Sequence, residues 1–305
     1  MECINRQRFR TSCCALLTLI VACFFSTPLF AHPGSGIAVD RTGQIFFLDT
    51  GSGLWKIDGK GGLTQLSKTR FHWLAIDANN QFASSPLPKG PLGEILSVGT
   101  NPAVLLSSDY PIALGHDGNL YYPLGRPGSL QMMKVLPSGS TSVLAKLPTT
   151  VKGTPLPHIG GIIAGPNGSL YYTEDSAIRR ISAQGRITTV ATVRAQPDAP
   201  SIPATPEHPL LRGLAVDASG VMYVADTGDA RVLKITPDGK TTTLLQLQSP
   251  WSPTAVALFG SDVYVLEFLH TPDDDRKNWL PRVRKLAANG TDTIIVTLDQ
   301  MPGAR

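Results

Sequence analysis

Cysteine is scarce in this chain and unevenly distributed. The 305 residues include only four cysteines, Cys3, Cys13, Cys14 and Cys23, and all of them lie close to the amino terminus. Residues 32–305 therefore cannot form a disulfide, a cysteine nucleophile or a thiolate metal site. The stability of that region must come from packing alone.

The chain also has little excess charge of either sign. It contains 27 Lys and Arg against 23 Asp and Glu, and three arginines and one glutamate fall within the first 31 residues, which leaves 24 basic and 22 acidic residues. This balance gives no electrostatic reason to expect nucleic acid or an anionic bilayer as a partner. We therefore expect no nucleic-acid partner.

Sequence motifs of several enzyme classes are missing. The chain has no GxSxG nucleophile motif, no HExxH zinc motif and no GxxxxGK[ST] phosphate loop. The glycine-rich stretch at residues 59–62 falls in a predicted hairpin and has no helix after it, as a phosphate loop would require. The sequence thus leaves open whether the protein is an enzyme.

The amino terminus has the pattern of an export signal. Arg6, Arg8 and Arg10 precede an apolar stretch at residues 13–25, which is shorter than the roughly 20 residues that span a bilayer. A plausible cleavage region follows and ends at Ala31. The sequence predicts that residues 1–31 are a signal peptide, and that residues 32–305 are exported to the periplasm or the extracellular space without inserting into a membrane.

A second interpretation of the same segment remains open. Residues 20–23 read IVAC, which fits a bacterial lipobox. In that case Cys23 would be lipidated and would anchor the exported protein to a membrane.

The region after the signal contains a repeat. The chain reads GLAVDASGVMYVADTGDARVLKITPDGKTTTL from Gly213, GIAVDRTGQIFFLDTGSGLWKIDGKGGLTQL from Gly36 and GIIAGPNGSLYYTEDSAIRRISAQGRITTV from Gly161. Alignment gives six repeat starts: Gly36, Trp73, Pro111, Gly161, Gly213 and Ala255. Repeats whose starts are a few tens of residues apart, as these are, are typical of solenoids, propellers and arrays.

Each repeat contains four short β-rich runs. In the repeat that starts at Gly213 these are residues 214–216, 221–225, 231–235 and 241–247, separated by turns rich in Asp, Ser and Gly. The first run is short and apolar, as expected of a strand buried on both faces. Because a four-stranded sheet cannot cover both of its own faces, we predict an all-β, six-bladed β-propeller of four-stranded antiparallel blades over residues 32–305.

The second repeat is the weakest. Residues 73–77 read WLAID and are expected to form its first strand, whereas residues 94–98 and 103–106 are expected to supply its third and fourth strands. The mature chain is expected to begin at the first strand of blade one, and residues 293–298 are expected to complete the fourth strand of blade six. We therefore predict that ring closure depends on packing between whole blades, without an exchanged strand.

The repeat resembles the NHL-repeat family, whose blade reads approximately PxGIAVDxxGxxYVADxxNxRVxKxxxxG. Residues 213–240 match this pattern closely, and residues 36–60 and 161–185 match it moderately. The chain is also distantly similar to the propellers of the gluconolactonase and senescence-marker type and to those associated with scytonemin genes. The resemblance implies a propeller whose ligand site lies at the mouth of its central channel.

The topology predicts which side chains surround that mouth. The residues before the six first strands and the loops between second and third strands meet at one end of such a ring, and a concave mouth with convergent polar groups is the default ligand site. We predict a ligand-binding site made of His72, Tyr110, Arg212, Thr254, Glu267 and His270. The loop at residues 268–280, which includes Asp273, Asp274 and Asp275, should overhang it.

Arg212 is the cation that decides the expected ligand. A guanidinium can hold a carboxylate through two parallel hydrogen bonds, so the site should favour a ligand with a carboxylate or with several hydroxyls. We predict that the protein is a binding module for a small molecule, peptide or protein, that it is a monomer, and that it has no assigned cofactor.

The alternative is an enzyme that uses the same mouth. Related lactonases hold calcium, and an NHL-like lyase holds zinc, at the positions before the first strands. Here those positions are Ser35, His72, Tyr110, Gly160, Arg212 and Thr254, which include no carboxylate and one histidine. Glu267 could instead act as a general base, as a glutamate does in strictosidine-synthase-like propellers. Zinc or calcium is thus the cofactor of the alternative hypothesis only.

Overall fold

The computed structural model describes residues 36–49, 52–68, 73–76, 82–83, 104–107, 111–126, 128–148, 158–196, 211–269 and 280–298. These residues form twenty-three β-strands and a single 3-10 turn at Pro166–Gly168. The strands build six antiparallel sheets, five with four described strands and one with three. This architecture is the predicted all-β, six-bladed β-propeller.

Five blades have their four strands in chain order from the channel outward. Blade one contains β1 Ile37–Val39, β2 Ile45–Asp49, β3 Gly53–Ile57 and β4 Leu63–Ser67. Blade three contains β8 Ala113–Leu114, β9 Leu120–Arg126, β10 Ser129–Val135 and β11 Thr141–Leu147. Blade four contains β12 Ile159–Ala164, β13 Leu170–Glu174, β14 Ala177–Ile181 and β15 Ile187–Thr192.

Blades five and six follow the same plan. Blade five contains β16 Leu211–Val216, β17 Met222–Asp226, β18 Arg231–Ile235 and β19 Thr241–Gln246. Blade six contains β20 Trp251–Phe259, β21 Asp262–Leu269, β22 Pro281–Leu286 and β23 Asp292–Thr297. The strands predicted from the repeat at Gly213 agree with β16 to β19 to within a few residues at each end.

The turns between strands follow from their sequences. In the turn between β16 and β17, Asp217 Oδ1 accepts hydrogen bonds from the backbone N–H of Ser219 at 2.8 Å and of Val221 at 3.0 Å. Gly220 completes the turn with a φ of 84°, which a residue with a side chain rarely adopts. A polar side chain that bonds its own turn and a glycine at positive φ together fix the hairpin.

Blade two differs from the prediction. Its described strands are β5 Trp73–Ile76, β6 Phe82–Ala83 and β7 Val104–Ser107, and β5 lies between β6 and β7. Leu105 of β7 lines the central cavity and β7 contacts β1, so β7 is the innermost strand. The expectation that residues 73–77 form the innermost strand and residues 103–106 the outermost one is wrong. Residues 94–98 lie outside the described residues.

The apolar core lies between blades, where neighbouring sheets pack face to face. Between blades six and one, Phe47 and Trp55 pack in the same cluster as Leu266 and Phe268, and all four side chains are buried. Each such side chain contributes roughly 1.5–3 kcal/mol by leaving water. Among the described strands, blades one and six each contain four strands of their own, and neither completes the other. The prediction that the ring closes by packing between whole blades is therefore confirmed for the described region.

No helix in the described part of the chain is long and apolar enough to cross a membrane. The predicted signal at residues 1–31 and the possible lipid attachment at Cys23 lie outside that part.

Candidate functional site at the channel mouth

The central channel forms a cavity of about 440 Å³. Its described wall consists of glycine and apolar residues from the innermost strands, with one histidine, His116, at the end opposite the predicted mouth. His116 is exposed. The cavity wall therefore offers no carboxylate, and charged chemistry must come from the ends of the channel.

Three consecutive innermost strands carry a β-bulge at the mouth end. The register of β12 against β13, of β16 against β17 and of β20 against β21 shifts there, because the inner strand has one extra residue. The extra residues include Gly160 in blade four, Arg212 in blade five and Thr254 in blade six. Bulges often occur beside functional sites because they redirect a side chain.

Arg212 is buried, and no acid among the residues that the structure describes pairs with its charge. It is 9% exposed, and its Nε atom has no hydrogen-bond partner. No ion pair of its guanidinium is present within the described ranges. Burial alone lowers the pKa of Arg212 to about 10, and no described carboxylate offsets this effect. Arg212 thus remains a cation at neutral pH in a place where an isolated charge is unfavourable.

The backbone of Arg212 is held tightly by blade four. The Thr173 hydroxyl donates a hydrogen bond to the Arg212 carbonyl oxygen at 3.1 Å. A Cβ atom on Gly160 would lie 2.1 Å from the Leu211 carbonyl oxygen, so only glycine permits this approach of β12 to β16. The position of Arg212 is therefore set by packing between two blades and not by a partner for its charge.

His158 lies at the start of β12, on the same side of the ring. Its N–H donates to Asp175 Oδ1 at 3.1 Å, and the Asp175 N–H donates to the His158 carbonyl oxygen at 3.0 Å. The pKa of His158 lies below its ordinary value, first because of desolvation and second because of the positive charge of Arg212, while Asp175 opposes both. His158 is thus neutral at pH 7 and lies within electrostatic range of Arg212.

The acids that end the second strands are engaged within their own blades. Glu174 pairs with Arg179, and Asp226 accepts from Arg231 at 2.7 Å. Asp49 in blade one accepts from the backbone N–H of Ser52 at 2.7 Å. These acids neutralise cations and bond loops next to them.

Glu267 belongs to the same class of buried acid. One of its oxygens accepts from Arg282, and the other accepts from Arg284 Nε at 2.5 Å. Arg282 also lies 3.7 Å over the ring of Trp251. Both oxygens of Glu267 thus already accept hydrogen bonds from arginines of its own blade.

Thr254 is wholly buried, and its hydroxyl donates to the Leu266 carbonyl oxygen at 3.3 Å. The structure places Arg212 and Thr254 at equivalent bulges of neighbouring innermost strands, and Glu267 at the end of the strand paired with Thr254's own. His72, Tyr110 and His270 lie outside the described residues, as do Asp273, Asp274 and Asp275. Their part in the site stays a prediction.

The described residues do not fit a divalent cation at the mouth. No group of three or more His, Cys, Asp or Glu side chains is arranged for a metal ion within the described ranges. At the bulges, Gly160 and Thr254 bring no carboxylate and Arg212 brings a positive charge, which would repel Ca²⁺ or Zn²⁺. The donor set favours a negatively charged ligand instead.

Sequence reasoning included Arg212 in the predicted site but did not include His158. The residue lies three positions before the aligned repeat start at Gly161, and its proximity to Arg212 depends on the packing of β12 against β16. A usable signal is the glycine pair Gly160 and Gly161 just after His158, because two glycines in a buried strand mark a close backbone approach.

The fold and the mouth define a class, the six-bladed β-propeller with a polar channel mouth. Regucalcin from Agrobacterium tumefaciens, described as a calcium-binding protein, aligns with a TM-score of 0.52 and 15% identity over 80% of this chain and 84% of its own. A luciferin-regenerating enzyme aligns with a TM-score of 0.52 and 15% identity over 82% of this chain and 91% of its own. At this identity the likeness shows the fold alone.

Two further comparisons bear on the particular family. Residues 136–266 match the SMP-30/Gluconolactonase/LRE-like region, which is less than half of the chain. Virginiamycin B lyase from Staphylococcus aureus aligns with a TM-score of 0.47 and 16% identity over 87% of this chain and 84% of its own, a likeness too weak to argue from. No curated protein matches the chain.

Proposed function

We propose that this protein is a binding module for an anionic ligand, and that the ligand's carboxylate is held by Arg212 at the mouth of the central channel. The observation that supports this most strongly is the burial of the Arg212 guanidinium, whose Nε atom has no hydrogen-bond partner and which no described acid pairs with. Buried charges in proteins are paired, and an unpaired one is unfavourable by several kcal/mol. An anionic ligand would supply the missing partner.

The shape of the mouth supports the same proposal. The bulges hold Arg212 at the end of a channel of about 440 Å³, and His158 beside it is neutral at pH 7. A planar guanidinium binds a carboxylate in a bidentate manner. The ligand would therefore present its carboxylate to Arg212. The rest of a small molecule, or the end of a peptide, could extend into the cavity, whereas a folded protein could present only a surface carboxylate.

A matched pair of variants tests the proposal. Formate is titrated against chloride at constant ionic strength into the wild type, Arg212→Met and Arg186→Met, and binding is followed by NMR. Arg186 is exposed in the turn between β14 and β15, at the opposite end of the blade. We expect at least about a tenfold loss of affinity for Arg212→Met, corresponding to about 1.4 kcal/mol, and no change for Arg186→Met. Equal affinities in all three would refute the proposal.

An enzyme of the gluconolactonase type is the second candidate, because residues 136–266 match that family's region and include both His158 and Arg212. The test is the metal content of the purified protein after dialysis without chelator, together with hydrolysis of a panel of lactones. Stoichiometric calcium or zinc with lactone turnover would favour the enzyme, and the described residues give no reason to expect either.

The setting of the protein belongs to the same proposal. We infer that an NHL-type propeller is exported after removal of residues 1–31 and acts as a monomer in the periplasm or outside the cell. Mass spectrometry of the secreted protein should find His32 at or near the new amino terminus. An acylated Cys23 would replace this with a membrane-anchored lipoprotein.

A further inference from the structure

The structure places an ionisable side chain next to the cation that the proposed function uses. His158 immediately precedes β12 and Arg212 lies in β16, and these two innermost strands pack against each other. They approach so closely that a Cβ atom on Gly160 would be 3.0 Å from the Cα atom of Arg212. His158 lies two residues before Gly160, and the positive charge of Arg212 helps to lower its pKa.

The backbone of His158 is fixed, while its side chain stays open to solvent. Reciprocal hydrogen bonds with Asp175, at 3.1 Å and 3.0 Å, tie the residue to the turn between β13 and β14. Asp175 adopts a φ of 50°, which lets it make both contacts within a tight turn. His158 as a residue is exposed, so that protons can reach it from water.

We propose that His158 is the second member of the anion site, and that it takes up one proton from solvent when an anion binds at Arg212. This inference rests on the proposed function. The proton comes from water or buffer and is bound by an imidazole nitrogen, and no other bond changes. The site would thereby change from one cation to two as the ligand arrives.

Two effects disfavour the protonated imidazole in the absence of ligand. Desolvation is the larger and the positive charge of Arg212 the smaller, while Asp175 favours protonation. Glu174 precedes Asp175, but its charge is engaged by Arg179. A bound anion would cancel the field of Arg212 and add its own attraction, so the pKa of His158 must rise on binding.

Linkage then fixes the direction of the pH effect. If the anion raises the pKa of His158, protonated His158 must raise the affinity for the anion by the same factor. Affinity should therefore increase as the pH falls through the pKa of the bound state, and level off below that of the free state. We expect an increase of at least about fivefold between about pH 8 and about pH 5.

The experiment uses trifluoroacetate, a carboxylate that stays ionised throughout this range, so every proton taken up belongs to the protein. Fluorine NMR measures its affinity, and proton NMR of the imidazoles measures the pKa of His158 with and without it. His116, exposed at the other end of the channel, serves as an internal control. We expect the His158 pKa to rise with trifluoroacetate and the His116 pKa to stay constant.

Two variants complete the test. His158→Gln should still bind trifluoroacetate, but with an affinity that no longer depends on pH over this range. Arg212→Met should bind it at least about tenfold more weakly, corresponding to about 1.4 kcal/mol, and the His158 pKa should not respond to it.

The outcomes separate the inference from the proposed function. If trifluoroacetate binds through Arg212 while the His158 pKa stays constant, the inference is wrong and the anion site stands. If trifluoroacetate does not bind the wild type at all, both are wrong. The wild-type measurement needs no variant, so a variant that fails to fold does not affect it.

Discussion

Blade five contains two buried arginines whose surroundings differ. Arg231 is 7% exposed, and its guanidinium pairs with Asp226 at 2.7 Å and Asp229 at 3.0 Å and donates to the Arg194 carbonyl oxygen at 2.9 Å. Arg212 is 9% exposed, and no described acid pairs with it. Two residues of the same type and burial thus have opposite electrostatic environments within one sheet.

The difference separates a charge that is paired within the described protein from one that is not. Arg231 compensates two acids and fixes the loop after β17. Arg212 is held by backbone contacts with blade four, and no described acid uses its charge, which is why we propose a binding role for it. Binding groups are commonly retained at some expense of stability, because a site made ready for a ligand is not at its own energy minimum.

The largest expected effect concerns the paired arginine. Arg231→Met would leave Asp226 and Asp229 buried without a cation, which should lower the free energy of unfolding by about 3–5 kcal/mol. Urea unfolding measures this change, and Arg186→Met, in an exposed turn, is the control. A loss below about 1 kcal/mol would mean that the pair contributes little and that the comparison has no basis.

The next effect concerns the contact that holds Arg212. Gly160→Ala places a Cβ atom 2.1 Å from the Leu211 carbonyl oxygen, so β12 and β16 must separate, at a cost of about 1–3 kcal/mol. Gly59→Ala is the matched control, because nothing lies within 4 Å of its Cβ position. Similar unfolding curves for the two variants would show that the close approach does not matter.

Removal of the Arg212 charge should raise the free energy of unfolding, whereas the two preceding substitutions lower it. Arg212→Met replaces an uncompensated buried cation by an apolar side chain of similar length, so unfolding in the absence of ligand should require about 1–2 kcal/mol more free energy. The same variant should lose anion binding. A destabilised Arg212→Met would indicate that the guanidinium has a structural partner after all.

The smallest effect is a pH dependence of stability through His158. The pKa of His158 is lowered in the folded state, so the unfolded chain binds more protons below about pH 6.5. The contribution of His158 to the stability of the fold is therefore present above that pH and is lost as the pH falls. Relative to His158→Gln, the wild type should lose less than about 1 kcal/mol on acidification, because solvent screens an exposed group. If the wild type instead gained stability relative to His158→Gln on acidification, the assigned direction of the His158 pKa shift would be wrong.

The sequence predicted most of the fold because each repeat carries its own turn signals. The runs of the Gly213 repeat agree with β16 to β19, since Asp217 and Gly220 fix the first hairpin locally. Blade two was predicted wrongly because residues 73–76 and 104–107 are both short apolar runs that suit a strand buried on both faces. Which of them lines the channel depends on packing against blades one and three.

The candidate site was predicted only in part, for a related reason. The repeat alignment placed Arg212 and Thr254 at the mouth, and the structure puts both at bulges there. What makes Arg212 distinctive is the absence of a nearby described carboxylate, which is a property of three-dimensional surroundings. The sequence contains many acids and does not show which arginine lacks one.

The most direct test of the account is the free energy of unfolding of the wild type and Arg212→Met, measured by urea titration with increasing formate at constant ionic strength. The account predicts that Arg212→Met is the more stable protein without formate and that formate stabilises only the wild type, so that the difference shrinks and then reverses. A wild type that is the more stable protein without formate, and gains nothing from it, would contradict the claim that Arg212 is a buried charge kept for an anion.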